Sequence, residues 1–89
     1  MLSEDIVIIN KLGLHARAAA KFVTTASKFE SNIKVSKDDR IVDGKSIMSV
    51  MMLAASYGTT IGITADGPDE KSALQAIKDL INEKFDEGE

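Results

Sequence analysis

The sequence predicts an α+β fold in which helices cover one face of an antiparallel sheet, and three observations support this prediction. Segments rich in β-branched residues alternate along the chain with segments whose apolar residues recur at helical spacing. These segments follow the order strand, helix, strand, strand, helix, strand, helix, or βαββαβα. Right-handed crossovers favour a split arrangement, in which the last strand inserts between the first and the second. The helices then form a single layer on the sheet, which is an open-faced β-sandwich.

Length and composition limit the classes of function. The chain has 89 residues, so we expect one small domain over residues 1–89. Hydrophobic residues make up 44% and charged residues 28%, as in soluble globular proteins. A net charge of −3 argues against a nucleic-acid partner. No apolar run reaches the roughly 18 residues of a membrane span, and residues 1–5 lack the basic region of a secretory signal. We therefore expect a cytoplasmic monomer without membrane insertion.

The chain contains no cysteine and a single histidine, His15. Disulfides and thiol chemistry are therefore excluded, and a structural zinc site is not expected. We expect no other metal and no cofactor. One histidine without a candidate catalytic triad also argues against a stand-alone enzyme.

A strand and a helix open the chain. Residues 2–9 are predicted as a strand, because residues 6–9 are all β-branched. Residues 10–14 form a loop, and a helix follows from residue 16 to about residue 28. Its apolar stripe is predicted at Ala19, Phe22, Val23 and Ala26. Its polar face is predicted at Arg17, Lys21, Thr24 and Lys28, with a shoulder of small residues at Ala16, Ala20 and Ser27.

A hairpin and a short helix follow. Residues 32–36 alternate, residues 37–40 form a polar turn, and residues 41–42 are the return strand. Ser46 is a natural N-cap for a helix through about residue 55. That helix is apolar on more than one side, and two interpretations of its surface stay open. Its methionines are core filler, or an exposed patch is a docking surface. The methionines are Met48, Met51 and Met52, and the patch consists of Ile47, Met48 and Met51.

A strand and a long helix complete the pattern. Residues 60–65 alternate between apolar and polar side chains, and the Asp-Gly-Pro-Asp sequence at residues 66–69 breaks the strand. A helix then runs to about residue 84, and Phe85 is predicted to anchor its end. Residues 86–89 read as a solvated tail. Predicted core positions in this part are Ile61, Ile63, Ala65, Ala73, Leu74, Ile77, Leu80 and Ile81.

The candidate functional residue is His15, which stands where the loop runs into the first helix. Gly13 permits a sharp entry, and His15 then lies at or beside the N-cap. The first amides of a helix lack intrahelical partners and carry partial positive charge, which suits phosphate. Arg17 adds a planar cation. This arrangement predicts a phosphoryl acceptor, and the alternative is a half-exposed histidine without chemistry.

Two motifs resemble one known family. Residues 13–17 (Gly-Leu-His-Ala-Arg), followed by Ala-Ala-Lys-Phe at residues 19–22, resemble the active-site signature of the HPr family. These proteins are the histidine-containing phosphocarriers of the bacterial phosphoenolpyruvate-dependent phosphotransferase system. Residues 44–53 resemble the regulatory-serine segment of the same family. The resemblance covers the whole chain and implies a four-stranded sheet of order 1-4-2-3, covered on one face by three helices. One departure is Ala18, where the family commonly has proline, so we expect a slightly looser helix start.

The resemblance also implies roles for individual residues. His15 would accept phosphate on Nδ1, and the backbone N–H of Ala16 and the Arg17 guanidinium would stabilise it. Enzyme I would be the donor and an enzyme IIA the acceptor. Ser46 would be a regulatory phosphoserine, with an HPr kinase/phosphorylase as the modifying enzyme. The implied docking surface consists of Ala16, Ala20, Ile47, Met48 and Met51.

Two alternatives remain open at this point. The chain is a phosphocarrier of a nitrogen-related branch instead of a sugar branch, with which the acidic end at residues 85–87 is compatible. Otherwise it is a regulatory binding module in which His15 is inert.

Overall fold

A computed structural model describes residues 1–86 of the chain. Its four strands form one antiparallel sheet of order β1-β4-β2-β3, and its helices cover one face. The predicted element order and sheet order are confirmed. In chain order the elements are β1 (Leu2–Val7), α1 (Ala16–Ala26), β2 (Asn32–Lys37), β3 (Arg40–Asp43), α2 (Ile47–Met52), β4 (Thr60–Asp66) and α3 (Glu70–Asn82), and then a single 3-10 turn at Lys84–Asp86.

The last strand, β4, is central in the sheet. On one side it pairs with β1, from Leu2 opposite Ala65 to Val7 opposite Thr60. On the other side it pairs with β2, starting with Asn32 opposite Asp66. Because β4 separates β1 from β2, the sheet is completed only by the last strand of the chain.

The core lies between the sheet and the helices. Successive side chains of a strand point to opposite faces, so one face of each inner strand is apolar. The alternate residues of β4 are fully buried, as the sequence pattern predicts. On the other face the Ser3 and Thr64 hydroxyls lie 2.8 Å apart at an exposed position. The buried strand residues are Ile6, Ile33, Val35, Ile61, Ile63 and Ala65.

Several elements end earlier than the periodicity predicts. Apolar residues can also pack in the loop that follows a helix or strand. The periodic pattern then continues past the end of the element, and it predicts an element that is too long. Helix α2 is the clearest case, because Ala54 adopts a left-handed conformation with φ of 53°. The Lys37 Nζ also donates to Leu53 O at 3.2 Å and to Ala54 O at 3.3 Å. The observed ends are Val7 for β1, Ala26 for α1, Met52 for α2 and Asn82 for α3, against predicted ends at residues 9, 28, 55 and 84.

Helix α1 is rotated slightly from the predicted orientation. Ala18 is fully buried beside Ala19, although the predicted stripe began at Ala19. Lys21 was placed on the polar face, but it is half-buried and its Nζ donates to Phe85 O. Phe85 is fully buried, which confirms it as the anchor after α3. The predicted tail lies largely outside the described residues.

Asp69 joins the start of α3 to the loop between α1 and β2. Its carboxylate accepts the backbone N–H groups of Glu30 at 2.9 Å and of Ser31 at 3.0 Å, and also the Ser31 hydroxyl. The Ser31 hydroxyl, followed by the Glu30 amide, lowers the pKa of the Asp69 carboxyl below its usual value. The ionised carboxylate therefore stabilises this junction.

Candidate functional site

The loop before α1 turns sharply at Gly13. Gly13 has φ of +67°, and a Cβ at this position would lie 2.6 Å from Ala55 O and 2.8 Å from the Cα of Ser56. The Leu14 N–H donates to Ala55 O at 2.8 Å, and the Leu14 side chain is buried. The predicted sharp entry is confirmed, and the chain is held against residues 55–56 just before His15.

His15 is the N-cap residue of α1. Its backbone is extended, with φ of −74° and ψ of 179°, and its carbonyl accepts the Ala19 N–H at 2.8 Å. Its side chain is half-exposed, and the Ala16 and Arg17 side chains are exposed. Within residues 1–86, the imidazole forms no capping hydrogen bond to the amides of α1. His15 is therefore the half-exposed N-cap residue of α1, and its predicted position at the start of the helix is confirmed.

The start of α1 is electropositive. Ala19 is the residue whose amide bonds to the N-cap carbonyl, so the amides of residues 16–18 precede the helical hydrogen-bond ladder. The first turn of α1, all of it in the described part of the chain, carries no acidic side chain. Partial positive charge at a helix N-terminus attracts anions, and phosphate is a typical one. The geometry therefore suits a phosphoryl group beside His15.

Arg17 adds a full positive charge on the exposed side of this helix start. It also lines a shallow depression between α1 and the end of α3, together with Ala20 and Leu80. A guanidinium presents several N–H donors in a plane that matches phosphate oxygens. Arg17 is thus free of the core and within the same helical turn as the N-cap.

Ser46 is the N-cap of α2, as predicted. Its backbone is extended, with φ of −117° and ψ of 115°, and its Oγ accepts the Ser49 N–H at 3.3 Å. The Ser46 side chain is half-exposed, so the hydroxyl combines a structural contact with access from solvent.

Helix α2 presents an exposed apolar surface, which we call the α2 patch. The interpretation of its methionines as core filler is wrong, because all three are exposed. Helix α2 packs against α1, so this patch lies beside the helix that begins after His15. On α1, Ala16 is exposed and Ala20 is half-buried. The α2 patch consists of the predicted residues Ile47, Met48 and Met51 and, in addition, Met52, with exposed fractions of 43%, 69%, 37% and 60%.

Two side-chain contacts, one of Asn10 and one of Lys37, were not predicted from the sequence. Asn10 is fully buried, and its Nδ2 donates to Gly13 O at 2.7 Å. Lys37 holds the carbonyls at the end of α2, as described above. Asparagine at the first position and glycine at the fourth are a common turn pattern, which could have indicated the turn but not the side-chain contact. The Lys37 contact joins elements distant in the chain, and no local pattern indicates it.

Two other types of feature are absent from residues 1–86. Across residues 1–86, no group of three or more His, Cys, Asp or Glu side chains comes together to hold a metal ion. In this described range, no helix combines the length and the apolar character that a membrane crossing requires.

Known proteins resemble this chain over nearly its whole length. The model of one family, described as "PTS HPr component phosphorylation site", matches residues 2–83. The phosphocarrier protein HPr of Neisseria meningitidis serogroup A is 58% identical over 89 residues, which cover 100% of both chains. The phosphocarrier protein HPr of Pseudomonas aeruginosa is 55% identical over 86 residues, covering 96% of each chain.

A solved structure is similar throughout. The crystal structure of HPr-C-His from Thermoanaerobacter tengcongensis superposes with a TM-score of 0.95 at 52% identity, and 98% of each chain is covered. A structure described as an HPr dimer from the same organism has a TM-score of 0.77 at 52% identity, covering 96% of this chain and 98% of the other. Sequence and fold therefore point to the same family.

Proposed function

We propose a function that proceeds from one premise: this chain belongs to the HPr family of the bacterial phosphotransferase system. It is a phosphocarrier of that system. We further propose that His15 accepts a phosphoryl group from phosphorylated enzyme I and passes it to an enzyme IIA. The observation that carries this proposal is the half-exposed imidazole of His15 at an electropositive helix N-terminus.

The chemistry follows from that placement. A neutral ring nitrogen, Nδ1 in this family, attacks phosphorus while the bond between phosphorus and the donor breaks. Phosphoryl transfer depends mainly on positioning and charge stabilisation. The Ala16 amide and the Arg17 guanidinium supply that stabilisation, and the protein needs no cofactor for it.

The exposure of the site suits a carrier, which must give up its phosphate. Donor and acceptor must reach His15 in turn, so both can use one surface. We propose that this surface consists of Ala16, Ala20 and the α2 patch, because α1 and α2 pack together and these apolar positions reach solvent. Exposed apolar clusters of this kind mark interaction sites. We also propose that the carrier acts as a monomer, which sedimentation equilibrium measures.

Phosphorylation of His15 is tested directly with enzyme I and phosphoenolpyruvate. Intact-mass analysis is expected to show one acid-labile phosphate on the protein and none on His15→Ala. Arg17→Ala is the intermediate variant, because it keeps the nucleophile but loses the cation. We expect it to accept phosphate roughly 10- to 100-fold more slowly. If the unmodified protein gains no phosphate, it is a binding module with an inert His15.

We propose that Ser46 is a regulatory site, since its half-exposed hydroxyl lies at the edge of the α2 patch. A phosphate there would place negative charge on the proposed docking surface. Ser46→Asp and Ser46→Asn form a matched pair, because both side chains can cap α2 but only aspartate is charged. We expect Ser46→Asp to fold normally and to slow phosphorylation by enzyme I, while Ser46→Asn stays near the unmodified rate. Equal rates for the two variants would contradict the charge argument.

A further inference from the structure

We propose that Asn10 is a positioning residue for phosphoryl transfer at His15, an inference that rests on the proposed function. Asn10 and Ser31 are the buried polar residues among residues 1–86. Ser31 is explained by its bonds to Asp69. Asn10 instead lies in the loop that delivers His15 to the start of α1.

Asn10 closes this loop with two hydrogen bonds. Its carbonyl accepts the Gly13 N–H at 3.1 Å, which forms a tight turn. Its side-chain Nδ2 donates to Gly13 O at 2.7 Å. The backbone bond is available to any residue, whereas the second bond requires the asparagine amide. The side chain therefore contributes a constraint that the turn alone does not provide.

The second bond fixes one end of the peptide unit between Gly13 and Leu14. The other end of that unit is the Leu14 N–H, which donates to Ala55 O at 2.8 Å. A peptide unit is planar, so hydrogen bonds at both ends fix the orientation of the plane. The following residue is His15, and its direction is set by that plane and by the start of α1. Asn10 thus acts on His15 through the backbone, without touching the phosphoryl group.

Loss of the side-chain bond would release this peptide. Gly13 has wide conformational freedom, so without Asn10 the Gly13 carbonyl can rotate more easily. Reacting atoms must be held in a narrow range of distance and angle, and a displacement of about 1 Å can reduce a rate roughly 100-fold. We expect a smaller displacement here, because the Leu14 N–H bond and the buried Leu14 side chain remain.

The test measures steady-state phosphorylation of Asn10→Ala by enzyme I and phosphoenolpyruvate, at a temperature where circular dichroism shows the variant to be folded. We expect kcat to fall roughly tenfold with KM for the carrier unchanged, because the buried side chain does not contact the partner. A docking residue would raise KM instead. Asn10→Ser is the second variant if Asn10→Ala does not fold. The serine hydroxyl lies one bond nearer the backbone than the Nδ2 of asparagine does. We expect the same fall in kcat for this variant.

Ser31→Ala is the matched control. It also removes a buried polar side chain, but it lies beyond the opposite end of α1, a helix roughly 16 Å long. We expect Ser31→Ala to be less stable and to transfer phosphate at the unmodified rate.

Three outcomes overturn the inference. These are an unmodified kcat in the folded Asn10 variant, a change confined to KM, or an equal loss of kcat in Ser31→Ala. Failure of the unmodified protein to accept phosphate on His15 would instead refute the proposed function, so the two failures are distinguishable.

Discussion

Gly13 occupies a position where both backbone conformation and space exclude a side chain. Its φ of +67° is costly for other residues, and Ala55 and Ser56 occupy the place of a Cβ. Gly58 also has a left-handed conformation, with φ of +84°, but a Cβ there would meet nothing within 4 Å. A side chain at either position would have an unfavourable backbone conformation, but only at Gly13 would it also clash with neighbouring atoms. Comparing the two positions therefore separates the two energetic costs.

We predict that Gly13→Ala lowers the free energy of unfolding by about 2–4 kcal/mol, and Gly58→Ala by only about 1 kcal/mol. Urea unfolding monitored by circular dichroism measures both values. Because the extra cost at Gly13 arises from contact with Ala55 and Ser56, the displaced loop should also slow phosphorylation of His15. Equal losses at the two positions would show that crowding is unimportant.

At the level of single residues, local chemistry was predictable and long-range contacts were not. The sharp turn at Gly13, the N-cap position of His15 and the capping by Ser46 each depend on a few neighbouring residues. The contact of Lys21 with Phe85 O joins residues 64 positions apart, so helical periodicity wrongly placed Lys21 on a purely polar face. The roles of His15, Arg17 and Ser46 stay predictions until phosphorylation is measured.

At the level of elements, Asp69 stabilises the junction between the α1–β2 loop and α3. The pKa of its carboxyl is lowered in the folded protein, mainly by the Ser31 hydroxyl. A carboxyl group with a lowered folded pKa stabilises the fold above its unfolded pKa. That contribution is lost as the pH falls through the folded pKa.

We predict that Asp69→Asn lowers the urea midpoint at pH 7, because an amide is a weaker acceptor than a carboxylate. The difference from the unmodified protein should shrink as the pH falls below the usual carboxyl range of about 4. Urea titrations at several pH values measure this convergence. Asp39→Asn, in the exposed hairpin turn, is the control and should have little effect at any pH. A difference that stays constant with pH would exclude the ionised carboxylate as its source.

The existence and type of the four strands and of helices α1, α2 and α3 were predictable, but their ends were less so, and the 3-10 turn at Lys84–Asp86 was not predicted. Period-2 and period-3.6 patterns show which residues face the core, and these patterns do not stop where the backbone hydrogen bonds stop. Helix α2 ends at Met52 because Ala54 turns left-handed and Lys37 satisfies the next carbonyls. The sequence of α2 alone contains neither signal.

For the whole molecule, the segment after α3 closes the core. Phe85 is fully buried, and its carbonyl accepts the Lys21 Nζ, so α1 and the end of α3 are joined there. Small proteins are stable by only about 5–15 kcal/mol, so one large buried side chain is a substantial part of the total.

We predict that Phe85→Ala lowers the free energy of unfolding by about 3–5 kcal/mol, because it leaves a cavity under α1 and α3. Tyr57→Ala removes another aromatic ring, but that ring is 65% exposed, and its loss should cost less than about 0.5 kcal/mol. Thermal and urea unfolding of both variants test the comparison. A small effect of Phe85→Ala would indicate that the segment is not part of the core.

The fold class followed from the order of elements, whereas the strand order required the family resemblance. Strand β4 pairs with β1 and β2, and Ala65 lies opposite both Leu2 and Ile33. Such partners are far apart in sequence, so no local pattern identifies them. The right-handed crossover rule favours the observed arrangement but leaves others open.

The direction of β1 has a practical consequence. The strand runs from Leu2 to Val7, and the His15 loop follows its far end, so residue 1 and that loop lie at opposite poles of the sheet. A six-residue strand is about 20 Å long. A flexible linker fused to residue 1 would therefore leave the protein on the side away from the His15 imidazole. If the carrier is immobilised on a bead through such a linker, large partner proteins should still be able to reach the His15 loop.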